Sequence, residues 1–149
     1  LLTNDITGSL LPPRGRDILH ILLTRADPGA IGPAAIGGFC QVITADEDKG
    51  LLLNCNNPVP RAESRAFQVP ISPGLYEPIT VDALSEIDLQ SQITWFGQGI
   101  VAVDGDRIIE LEAGEALNLN IARSGPRVIP VSDLMETASR AGLLSNITR

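Results

Sequence analysis

Apolar and polar positions alternate through most of the chain, and only the last element changes period. Asp17 to Arg25 (DILHILLTR) is a short apolar run bounded by breakers, which suits a buried strand. Cys40 to Thr44 and Gly50 to Asn54 read as further short strands, separated by the acidic turn Ala45-Asp46-Glu47-Asp48-Lys49. Alternation resumes in Ala66 to Ile71, Leu75 to Leu84 and Gln92 to Phe96. Pro70, Pro73 and Pro78 place some of these at sheet edges, because proline cannot donate to a ladder. In Gly99 to Glu112 (GIVAVDGDRIIELE) two alternating apolar arms flank Asp104-Gly105, the pattern of a tight β-hairpin. Glu115 to Arg123 alternates again, and Arg127 to Val131 is one more strand candidate.

The segment SDLMETASRAGLL then switches to helical spacing, with Leu134, Ala138 and Ala141 on one face. Ser132 or Asp133 is the expected cap, Glu136 would close a capping box, and Gly142 would end the helix. Many short strands followed by one terminal helix predict a mainly β domain: a β-sandwich or a strongly curved antiparallel sheet with a C-terminal helix. Residues 1–16, with Gly8, Pro12, Pro13 and Gly15, read as a linker or trimmed entry segment, which leaves 17–149 as the β-rich domain. Ala30 to Phe39 is small and glycine-rich, and propensity leaves it open between a helical turn and a backbone-hugging loop.

Composition narrows the functional classes. A chain of 149 residues, 44% hydrophobic, has enough material for one real core without disulfide or metal staples. Aromatics are only 3%, so that core must be built from Ile, Leu, Val and Ala. The net charge of −7 and the absence of a basic cluster exclude a nucleic-acid or anionic-membrane binder. No apolar segment reaches the length of a membrane span and no signal-peptide pattern opens the chain, so the expected setting is cytoplasmic. The chain starts at Leu1 and its single methionine is Met135, which reads as a fragment or processed product. Cys40, Cys55 and the lone His20 do not make a zinc set, and both cysteines are expected to be free, at least partly buried thiols.

Candidate chemistry centres on Asp104-Gly105-Asp106. Two carboxylates at a hairpin tip suit a divalent cation or a general base, while Asp-Gly is also what a tight turn asks for by itself. Asp46-Glu47-Asp48 lacks the spaced oxygens of a calcium loop and reads as a solvated turn. Gly37-Gly38 is only a loose likeness of a phosphate-cradling loop, and His20, inside an apolar run, reads as a core histidine with its hydrogen bonds met.

Taken together and in order, LLTRADPGAIGPAAIGG (Leu22 to Gly38), GLLLN from Gly50, VPISPGLYEPITV (Val69 to Val81), GIVAVDGDRIIEL (Gly99 to Leu111) and GPRVIPV with its helix resemble the C-terminal part of the ATP-NAD kinase-like, AcoX-type proteins. The resemblance runs from about Ile21 onward and implies a β-rich domain from the NAD kinase and diacylglycerol kinase superfamily. It implies a partner α/β domain carrying a GGDG-type nucleotide loop, which this chain lacks. ATP and Mg2+ are thereby expected for the full-length protein and not for this domain alone. Expected partners are that N-terminal domain, NAD or another small hydroxyl acceptor, and a second copy in a homo-oligomer. Where related lipid kinases carry a DGE carboxylate as general base, this chain has Asp106, shorter by one methylene, with Asp104 shaping the turn or orienting metal-bound water. A different class of reading is a non-catalytic β-domain that binds a partner through its edge strands.

Overall fold

A computed structural model describes residues 2–3, 18–44, 46–59, 61–103, 107–122, 124 and 129–144. The protein is mainly β, with antiparallel sheets that form no closed barrel among the described residues. Strands β1 (Leu2–Thr3), β2 (Ile18–Leu23), β3 (Lys49–Cys55), β4 (Arg65–Ser72), β5 (Leu75–Asp88), β7 (Gly99–Val103) and β8 (Arg107–Leu111) form one seven-stranded sheet in the order β4-β5-β3-β2-β1-β7-β8. Strands β6 (Gln92–Phe96) and β9 (Ala116–Asn120) pair as a separate ribbon. Helix α1 spans Pro33–Cys40 and helix α2 spans Val131–Arg140.

The prolines fall where the ladder tolerates them. Pro70 lies on β4, the outer strand, and Pro78 lies in the first half of β5, which pairs with β4 alone; β5 meets β3 only from Val81 onward. Pro73-Gly74 makes the tight turn between them, with Gly74 at φ 78°, the left-handed position that glycine takes at no steric cost.

One face of the sheet is closed by α1, which settles the open segment as a helix with Pro33 in its first turn. Ile36 packs with Ile21, Leu51, Leu53, Val69 and Ile79 into an aliphatic core, as the low aromatic content requires. The two glycines of α1 exist for close approach. A Cβ on Gly38 would lie 2.2 Å from the Pro28 nitrogen, and one on Gly37 would lie 2.3 Å from a Leu23 methyl. On the opposite face the ribbon covers part of the sheet: Trp95 sets its ring edge toward His20, and the Ile121 side chain rests on Gly50.

Several local expectations change. Cys40 closes α1, and the residues after it make a single bridge, Ala26 to Ile43, where a strand was expected; the preceding helix takes up the residues that would have begun it. Val131 opens α2 instead of ending a strand, and residues 125–128 lie outside the described residues. Pro130 occupies the N-cap and no side chain caps the helix, so the Ser132 or Asp133 cap and the Glu136 capping box are not formed; Glu136 pairs with Arg140 one turn along. The C-terminus is as expected: Gly142 at φ 70° ends the helix, with Leu143 N donating to Ala138 O and Gly142 N to Ser139 O. No helix among the described residues is long and apolar enough to cross a membrane.

Candidate functional site

The register shifts between β3 and β5, and a cleft lies beside this irregularity. Asn54 pairs with Ala83 and Cys55 with Val81, so Asp82 is an extra residue on β5, a bulge that frees it from the ladder and turns its side chain. Asp82 is buried, and its carboxylate is held by donors from the loop after β3. Asn57 N donates to Oδ2 at 2.7 Å and the Ser64 hydroxyl to Oδ1 at 2.6 Å. Ser64 Oγ in turn accepts from Arg61 N at 2.9 Å. These bonds compensate the cost of burying the carboxylate and tie Asn57 and Ser64 to β5.

Asn56, the residue after β3, takes a left-handed conformation (φ 51°) and ties three elements together. Its side-chain amide donates to Ile18 O at 2.8 Å and its Oδ1 accepts from Thr80 N at 3.0 Å. Asn tolerates this backbone position better than most residues, which turns the chain away from the sheet here.

Next to the bulge, His20 and Asn54 face each other across β2 and β3 in register. The imidazole Nδ1–H donates to Asn54 Oδ1 at 2.7 Å, because an amide oxygen can only accept. The ring is held from the other side by Trp95, 6.2 Å between centroids in an edge-on arrangement. In the neutral ring Nε2 is then an acceptor. Leu19, His20, Asn54, Cys55, Asn57, Pro58, Arg61, Asp82 and Ala83 line an open cleft of about 310 Å³. That is the lower end of the range for small-molecule sites, roughly 300–1,000 Å³.

Both thiols are free, as expected. Burial pushes the Cys55 thiol up to about 12, with Cys40 and the Asp82 carboxylate adding to it, so Cys55 is an inert protonated wall of the cleft. Burial also raises the Cys40 thiol, and Arg65 opposes that rise.

Of the residues singled out in the sequence, Asp104 and Asp106 lie outside the described residues. The arms that carry them pair as expected, Gly99 with Leu111 through Val103 with Arg107. Gly37-Gly38 is no phosphate cradle, since backbone and side chains already fill the space against both residues. In the acidic turn Asp46 and Asp48 are exposed, while Glu47 accepts from Thr44 N at 2.7 Å, and that bond leads the causes holding its carboxyl below the usual range. Among the described residues no group of three His, Cys, Asp or Glu side chains converges as a metal site.

Asp82, Asn54, Asn57 and Arg61 were not legible as a group. The available signals were weak: one Asp inside an apolar alternation, and the run Asn54-Cys55-Asn56-Asn57-Pro58 after an apolar strand.

No curated protein and no solved structure matches the chain. The family model for the acetoin catabolism protein X C-terminal domain matches residues 1–124, taking in the entry segment and ending ahead of GPRVIPV and α2. The chain therefore belongs to the acetoin catabolism protein X C-terminal domain family.

Proposed function

We propose that this chain is the acceptor-side domain of an ATP-dependent, NAD kinase-like phosphotransferase, inactive without a separate nucleotide-binding α/β domain. Family membership over residues 1–124 carries the reading, and a place in the NAD kinase superfamily is compatible with it. The pairing of β7 with β8 supports it further, because Asp104-Gly105-Asp106 stands between these two strands in the sequence. In this reading the second domain supplies the nucleotide loop and the metal. Asp106 takes the proton from the acceptor hydroxyl, and Asp104 shapes the turn. The acceptor is NAD or another small hydroxyl compound, met in the cytoplasm.

The test uses the complete protein containing both domains. Asp106→Asn is expected to lower turnover by about 10²- to 10⁴-fold, the usual contribution of a general base, with the melting temperature unchanged. Unchanged turnover removes Asp106 from the mechanism. Measurable phosphoryl transfer by the present chain alone overturns the two-domain reading.

A second reading, a domain for partner binding or self-association, is favoured by α2. None of its residues is buried, and Val131, Leu134 and Met135 are exposed along it. Light scattering of the chain at rising concentration tests this reading: a constant monomer mass removes self-association.

A further inference from the structure

We propose that the cleft beside the Asp82 bulge binds a small hydroxylated anion, a hydroxy acid or a hydroxyalkyl phosphate. The inference concerns binding by this chain alone, without nucleotide, and stands independently of the phosphotransferase reading.

The polar groups of the cleft divide into those already used and those left over. Asp82 uses both carboxylate oxygens on the 57–64 loop, so its part is to hold the wall in place. Asn54 Oδ1 is taken by His20, and Asn57 Oδ1 accepts from Val59 N at 2.9 Å. Left over among the described residues are His20 Nε2, the side-chain NH2 groups of Asn54 and Asn57, and the Arg61 guanidinium, which makes no ion pair with a described carboxylate. That set is one acceptor, two amide donors and one cation.

The complement of this set is specific. A hydroxyl donates to His20 Nε2, which the Asn54 bond and Trp95 hold in a fixed orientation. A carboxylate or phosphate meets the guanidinium fork, with the Asn amides donating to its remaining oxygens. Leu19, Pro58 and Ala83 give the short apolar walls against which a carbon skeleton of a few atoms packs. A volume of about 310 Å³ excludes a dinucleotide lying wholly inside. Because the chain carries −7 overall, its general field does not attract an anion, and binding must depend on Arg61 itself.

The experiment is a titration of the isotope-labelled chain, followed by NMR at the His20 imidazole and the Asn54 and Asn57 side-chain amides. The probes are glycerate and glycerol 3-phosphate at millimolar concentration, with glycerol and propionate as analogues lacking the anion or the hydroxyl. Saturable shifts at all three side chains are expected with at least one of the anions, and the stronger of the two identifies the carboxylate or the phosphate source. Arg61→Gln, an exposed change that leaves the fold intact, is expected to weaken binding by about 10- to 100-fold, the range for losing a charge-assisted contact. His20→Gln is expected to weaken it as well. The proposal is overturned if neither anion gives saturable shifts at these groups. It is equally overturned if glycerol or propionate binds as tightly, or if Arg61→Gln binds with unchanged affinity.

Discussion

The two ends of the seven-stranded sheet are built from the same kinds of residue and are stabilised in opposite ways. At the β4-β5-β3-β2 end, Ile21, Ile36, Ile43, Leu51, Leu53 and Val69 are almost wholly withdrawn from solvent between the sheet and α1. At the β7-β8 end the buried cluster is Val101 and Leu111, with Trp95, Val103 and Leu117 packed around it. Ile108 and Ile109 in the same hairpin are 62% and 42% exposed. One end is therefore held by close packing, and the other by ladder hydrogen bonds and hairpin geometry. Apolar burial at roughly 25 cal/mol per Å² gives the first end most of the stabilisation, while the second leaves apolar surface that the described residues do not cover.

The sharpest way to break that contrast is one alanine at each end. In Gly38→Ala the new Cβ lies 2.2 and 2.3 Å from backbone atoms of Pro28 and Asp27, which cannot rotate away. The loss is expected to reach at least about 3 kcal/mol, the upper range for overpacking, and urea unfolding would show it as a collapsed midpoint. Gly114→Ala, between β8 and β9, meets no atom within 4 Å and carries only the strain of φ 92°. It is expected to cost about 1–2 kcal/mol. Equal losses at the two sites would mean that α1 can slide on its loop and that the packed end is less rigid than its geometry.

Truncation inside each end sharpens the comparison from the other side. Leu53→Ala removes a side chain with no exposure and leaves a cavity under α1, for an expected loss of about 2–5 kcal/mol. Ile108→Ala removes one that is mostly in water and is expected to stay within about 0.5 kcal/mol. A large loss at Ile108 in thermal melts would reveal that this surface is covered in solution, by a second copy or by residues 104–106 and their neighbours.

The same division explains what the sequence discloses. Period and turn chemistry give β6 to the residue and the β7–β8 arms to within one residue, because both are local. The terminal helix is legible from Leu134, Ala138, Ala141 and Gly142, but its cap is not: Pro130 takes the position for which Ser132 and Asp133 have the better propensity. Helix α1 is hidden because its glycines answer to close contacts with Pro28 and Leu23, and helix propensity counts a glycine only as unfavourable. The cleft is hidden as well. Asp82, Asn57 and Ser64 are joined by a bulge and a loop, and a bulge shifts by one residue the very alternation from which a strand is read.

An effect that depends on pH lies where the packed end meets the cleft, at Cys55. Its thiol ordinarily titrates at 9.0, and in the fold burial first, then Cys40 and the Asp82 carboxylate, push it up to about 12. Between those values the unfolded chain gives up a proton that the folded chain keeps, so stability falls as pH rises through that window. The thiol's contribution is fully present below 9.0 and is lost on the way to about 12. One pH unit above the ordinary value the loss is about 1.4 kcal/mol, and each further unit inside the window removes a similar amount. Cys55→Ala removes this slope while the other titrating groups keep theirs, so the difference between the two proteins in urea unfolding against pH isolates the thiol. If their pH profiles run parallel, Cys55 titrates as an open thiol, and the wall between core and cleft is loose enough to admit water.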